Sequence, residues 1–129
     1  DYFPQVIKNI SFKFFDSTIS SVGLHEHECS SNKMQYSIVD GVADSLVKIY
    51  PGSRKVFGKI IYNKNTNMIY GAQFLGGLEV TGYADKISLM IQNNIKADKL
   101  SESFFNYSPP VSPFVNLLNL LGQKIKIGK

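Results

Sequence analysis

The 129-residue chain contains no tryptophan and a single cysteine. One cysteine, Cys29, excludes an internal disulfide and points to a reducing compartment, the cytoplasm. No apolar run approaches the ~20 residues that a membrane-spanning helix needs, so no membrane is expected as a partner. No secretory signal opens the chain, and no initiator methionine does. It begins at Asp1 inside an aromatic, extended segment and on that ground reads as a piece of a larger protein. A concentrated basic stripe is also missing. The net charge is +4, but the lysines are scattered, and the densest group, Lys124, Lys126 and Lys129, alternates with Ile125 and Ile127 at the tail. A nucleic-acid footprint needs basic residues on one face with stacking aromatics beside them, so no nucleic acid is expected either.

What is present is ordinary for one globular domain. Apolar residues make up 43% and charged residues 19%, which gives a core that needs no disulfide or metal staples. We therefore expect a single domain over residues 1–129. Residues 10–22 are β-branched, aromatic and partly alternating, and read as one extended strand. After Gly23, the run Leu24–Ser31 reads as a short helix with Glu26 and Glu28 in its first turn. Residues 35–49 form a second extended run, and Pro51-Gly52-Ser53 a turn. Strands at 55–62 and 68–75, joined by the polar turn Asn63–Asn67, give a hairpin.

Beyond Gly76-Gly77 the period changes. Val80, Ala84, Ile87, Leu89, Met90 and Ile91 suit one face of a helix of about four turns. Asp98 caps a shorter turn through Leu100 and Phe104. Pro109, Pro110 and Pro113 impose a rigid, extended approach, after which a last helix runs from Phe114 to Leu121 and is ended by Gly122. Strands before helices predict an α+β domain, an antiparallel sheet of three to five strands with helices packed on one face.

The run Tyr50-Pro51-Gly52, the strand Gly58–Tyr62, the turn Asn63–Asn67 and the segment Met68–Gly76 resemble, in that order, the interface domain of flavoprotein pyridine nucleotide-disulfide oxidoreductases. Phe15-Asp16 and Val22-Gly23-Leu24, followed by Glu26 and Glu28, match the entry to that domain. The segment Tyr107–Ser112 (Tyr-Ser-Pro-Pro-Val-Ser), with Asn119 and Gly122 downstream, is similar to the ending of the coenzyme A disulfide reductase, NADH oxidase and persulfide reductase branch. The glutathione reductase branch carries a His–Glu pair there, and no histidine follows His27. The chain departs from the branch in two places. Asn116-Leu117 stands where Asp-Pro is usual, and Tyr83-Ala84-Asp85 where an Arg precedes Ile-Asp.

The resemblance implies a homodimerisation domain of an FAD- and NAD(P)H-dependent disulfide reductase. It implies that the parent enzyme binds both cofactors and that this domain alone binds none. Coenzyme A disulfide or a related thiol compound is the implied substrate, with persulfide or oxygen as other acceptors in the branch. It further implies that Tyr107 and Tyr50 reach the partner's active site, where a phenol can hydrogen-bond a thiolate in the absence of histidine. The alternative is a free-standing α+β protein-binding module with no catalytic parent.

Three other motifs read more simply. His25-Glu26-His27-Glu28-Cys29 puts His25 and Cys29 four residues apart on a helix, but too few strong ligands cluster there for a metal site. Glu26 and Glu28 would raise the pKa of Cys29, which disfavours a redox thiol. Gly71, Gly76 and Gly77 lack the strand–GxGxxG–helix setting of a phosphate loop and suit tight turns and close packing.

Overall fold

The computed structural model describes residues 7–105, 112–113 and 115–128. Five strands form one fully antiparallel sheet in the order β1-β2-β5-β4-β3: β1 Asn9–Phe14, β2 Ser17–Gly23, β3 Ser37–Asp44, β4 Lys55–Tyr62 and β5 Ile69–Gly76. Helix α1 spans Glu26–Ser31, α2 Glu79–Gln92 and α3 Leu117–Ile127, with a 3₁₀ helix at Ala97–Glu102. The expected α+β class and its antiparallel sheet are found.

Side chains alternate across the strands and so divide the sheet into two faces. One face is set by Val22, Ala72, Phe74, Val56, Ile60 and Val39, which join α2, the 3₁₀ helix and α3 in a single core. Val80, Ala84, Ile87 and Met90 are the buried positions of α2, whereas Leu89 points outward and is 57% exposed. Glycine is required at Gly58, where a Cβ would meet the Phe74 ring at 2.7 Å and Leu117 at 3.0 Å. Helix α1 starts on the opposite face: Ser21 Oγ, beside Gln73 on that face, lies 3.2 Å from His25 Nε2. One-sided covering therefore describes α2, α3 and the 3₁₀ helix, with α1 as the exception.

The expected single strand over 10–22 is two. Phe14 pairs with Ser17, which leaves Phe15-Asp16 as a two-residue loop, and Phe15 takes φ 55°. Hairpin loops of this length usually place Gly, Asn or Asp at a positive φ. Phenylalanine gave no such signal, and the turn was hidden. The extended run 35–49 is shorter than expected, since β3 ends at Asp44 and a loop follows. The hairpin at Asn63–Asn67 is as expected: Asn63 Oδ1 accepts from Asn65 N at 2.8 Å and Thr66 N at 3.1 Å, the Asx geometry that asparagine supplies.

The last helix departs most from expectation. Asn116 caps it, with Oδ1 accepting from Leu118 N at 3.0 Å and Asn119 N at 3.4 Å. Helix α3 then runs through Gly122 to Ile127. Gly122 does not end the helix. It allows α3 to lie against the 3₁₀ helix, because a Cβ there would stand 2.3 Å from Ser101 N and 2.7 Å from the Leu100 carbonyl carbon. Asn119, one turn earlier, donates from Nδ2 to the carbonyls of Leu100 and Ser101 at 3.2 Å and Ser103 at 3.3 Å. Together these residues clasp the stretch that leads into residues 106–111.

Two outcomes follow for stability, read as free energies from urea unfolding. Asn116→Ala removes a cap and is expected to cost about 1 kcal/mol, whereas Asn116→Asp should cost almost nothing. Gly122→Ala forces α3 off the 3₁₀ helix and is expected to cost about 1–3 kcal/mol, despite alanine's better helix propensity. A stabilising Gly122→Ala would show that the close approach is not maintained.

Candidate functional site

The two tyrosines expected to carry chemistry fare differently. Tyr107, with Pro109 and Pro110, lies outside the described residues. Both flanks of its segment are described. On the upstream side, α2 and α3 converge on residue 103: Lys86 Nζ donates to Ser103 Oγ at 3.3 Å, and Asn119 Nδ2 donates to the Ser103 carbonyl. Burial lowers the pKa of Lys86, which fits an ammonium drawn toward one hydroxyl with reduced access to water. Downstream, Ser112 and Pro113 are buried, and the chain re-enters the core through the Asn116 cap.

Tyr50 sits in the loop between β3 and β4. The loop mouth is closed by Ser45 N donating to the Arg54 carbonyl at 2.8 Å and by a Lys55–Asp44 ion pair at 2.8 Å. Tyr50 opens a turn in which Ser53 N donates back to its carbonyl at 3.3 Å. Pro51 supplies the fixed φ of the second position and Gly52, at φ 86°, the positive φ of the third. Tyr50 N also donates to the Val47 carbonyl at 2.9 Å, and Val47 is buried. The turn thus holds Tyr50 half-buried on an anchored loop.

The β3–β4 loop and the stretch from Pro113 to Leu120 line one groove of about 510 Å³, although Tyr50 itself is not among its lining residues and Tyr107 lies outside the described residues. Leu46 and Ile49 of the Tyr50 loop line one side of it, and Pro113, Val115 and Leu120 the other. Clefts of this size with apolar walls are where ligands and partner side chains lodge.

Tyr83, one of the residues at which the chain departs from the family pattern, is partly buried against the core. Burial, and then the nearby Glu79 carboxylate, push its phenol up to about 12, so it remains protonated through the neutral range. Its ring stands edge-on to Phe74, with centroids 5.7 Å apart. Nothing in the spacing of Tyr83-Ala84-Asp85 marks this contact, because Phe74 belongs to another element. Asp85 on the same helix accepts from Asn9 Nδ2 at 2.9 Å and ties α2 to the sheet edge.

The His-Glu-His-Glu-Cys run is used for architecture. Glu28 Oε1 accepts from His25 N at 3.1 Å and fixes the start of α1. Among the described residues no three His, Cys, Asp or Glu side chains are grouped to hold a metal ion. Cys29 is fully buried, and burial, Glu28 and Glu26 in that order raise its pKa. The thiol is thus kept from the thiolate form that reacts. A colorimetric thiol reagent at pH 8 should label the native 129-residue chain at least tenfold more slowly than the urea-unfolded chain, and equal rates would contradict the placement of Cys29.

Among the described residues no helix is long and apolar enough to cross a membrane. Residues 10–117 match the family described as the dimerisation domain of pyridine nucleotide-disulphide oxidoreductases. The chain is 29% identical to a coenzyme A disulfide reductase of Staphylococcus aureus (strain bovine RF122 / ET3-1), over 96% of this chain and 28% of that protein. Its fold is similar to that of the reduced CoADR-RHD of Bacillus anthracis, with a TM-score of 0.86 and 31% identity over 92% of this chain and 21% of the other. It is also similar to an NAD-dependent persulfide reductase from A. fulgidus, with a TM-score of 0.89 and 28% identity over 99% of this chain and 24% of the other. The chain spans about a quarter of the length of the curated relatives it matches. Matched over most of its length and folded as these proteins are, the chain belongs to the family of dimerisation domains of pyridine nucleotide-disulphide oxidoreductases.

Proposed function

We propose that this domain joins two subunits of an FAD- and NAD(P)H-dependent disulfide reductase of the coenzyme A disulfide reductase type, and presents Tyr107 and Tyr50 to the partner's reacting centre. The observation that carries the proposal is the clasp on the 3₁₀ helix that precedes the Tyr107 segment. Asn119 and Gly122, the two downstream residues of the branch's ending, hold the 3₁₀ helix that leads into it, and Ser112 and Pro113 are buried on its far side. Leu46 and Ile49 of the loop that bears Tyr50 line a groove that Pro113 and Val115 also line.

The departure at Asn116-Leu117 does not weigh against this reading. Asparagine accepts the same two backbone N–H groups that an aspartate would at a helix N-cap, and the next position tolerates leucine as well as proline.

The assignment of flavin and nicotinamide to the rest of the parent chain is supported by the sheet. Dinucleotides are held by a glycine-rich turn between a strand and a helix of a parallel sheet, and every strand pairing among the described residues is antiparallel. Gly71 is pressed against the Leu24 backbone and Gly76 against Val56 and Val80, so neither leaves room for a phosphate. What this domain contributes is shape and two phenols, each able to donate one hydrogen bond and accept another.

The test uses the full-length reductase that carries this domain. Tyr107→Phe and Tyr50→Phe are each expected to lower kcat for coenzyme A disulfide reduction by about tenfold or more, with the dimer intact by light scattering and Tm unchanged. A drop in Tm with kcat unchanged would assign both rings to packing. A strictly monomeric full-length protein would overturn the reading.

A further inference from the structure

The face of the sheet opposite α2 and α3 carries an apolar row that crosses every strand. The strand registers place Phe12 beside Ile19, Ile19 beside Leu75, Leu75 beside Phe57 and Phe57 beside Val42. At ~4.8 Å between strands the row is about 19 Å long. Phe12 is 55% exposed, Phe57 49%, Val42 44% and Leu75 40%. Scattered apolar side chains on a surface are normal, but a contiguous row rimmed by polar groups marks a face that something covers.

The next row across the same face reads Ile10, Ser21, Gln73, Lys59, Asp40. At its centre, Gln73 has both amide atoms shielded from water and neither hydrogen-bonded. A buried amide without partners is destabilising, and native proteins rarely leave one so. The groove of about 720 Å³ on this face is lined by Gln73 together with Ile19, Val42, Phe57 and Leu75. A polypeptide laid into it would bury the row and could offer a carbonyl and an N–H to that amide.

Two considerations select the occupant. Leu46 and Ile49 of the loop that bears Tyr50, and Pro113 and Val115 after the Tyr107 segment, line the groove beyond β3 and α3, so the partner is expected on that side. The chain also accounts for only 28% of the length of its curated relative, which leaves the larger part of such a protein as a body that can pack on this face. The face is nearly neutral, with Lys59 paired in register to Asp40, which suits an interdomain contact and gives no attraction for a strongly charged partner. We propose that the open face of the sheet is an intrachain interface, covered in the full-length reductase by the nucleotide-binding part of the same subunit. This rests on the functional reading above, and it adds which surface faces which body.

Hydroxyl-radical footprinting read by mass spectrometry on the wild-type full-length reductase and on the 129-residue chain tests it without any substitution. Phe12, Phe57 and Leu75 are expected to be oxidised at least fivefold more slowly in the full-length protein, and equal rates overturn the proposal. Phe57→Lys, with Phe57→Ala as the milder variant, is expected to lower the Tm of the full-length protein by several degrees. The dimer should survive, and the 129-residue chain should lose under one degree. If Phe57→Lys instead splits the dimer, a second copy covers the face; the intrachain assignment then fails while the dimerisation reading stands. A wild-type full-length protein that is monomeric would sink the dimerisation reading, whereas the footprint still decides the fate of the open face.

Discussion

Phe74 occupies the middle strand of the sheet at the one place where its neighbour β4 has no side chain to offer. The ring lies over Gly58 with Leu117 of α3 close by, and its edge meets Tyr83 of α2. Both long helices are therefore referred to the same buried aromatic ring, which is 1% exposed. Close packing of this kind leaves little tolerance, since interiors are as dense as organic crystals. The position of α3 sets the clasp of Asn119 and Gly122 on the 3₁₀ helix, and that clasp in turn sets where the Tyr107 segment leaves the body of the domain. A chain of contacts thus leads from the centre of the sheet to the candidate active-site loop.

The sheet's two faces divide the labour. The covered face supplies stability through one continuous core. The other keeps its apolar row and its unsatisfied Gln73 amide for a contact made elsewhere in the parent protein. Domains built to stand alone seldom leave both features on one surface. The groove between the β3–β4 loop and α3 is a third surface, which meets the open face at Val42 and is lined by Leu46 and Ile49 of the loop that bears Tyr50 and by Pro113 and Val115.

Much of the architecture could be read from the residues, because the strands and helices from Lys55 to Gln92 announce themselves by period and by the asparagine turn. The β1–β2 hairpin could not, since Phe15 holds a positive φ that its side chain does not advertise. The α3 boundary was misjudged for a related reason. Glycine serves equally as a helix stop and as a point of close approach, and only the placement of Ser101 distinguishes the two. Of the site, Tyr50's turn was legible in Tyr-Pro-Gly, whereas the roles of Tyr83, Lys86 and Asn119 depend on contacts with distant parts of the chain. Tyr83 meets Phe74, Lys86 meets Ser103, and Asn119 meets three carbonyls some 16–19 residues away. No local pattern encodes such pairings.

The Asn116 cap carries one last consequence. A carboxylate in that position would be protonated in acid and would lose much of its grip on the first turn of α3, while gaining from the helix dipole at neutral pH. The amide has no proton to gain or lose. The anchor of α3, and with it the hold on the Tyr107 segment, is therefore indifferent to acidity, at the expense of a small electrostatic advantage at neutral pH.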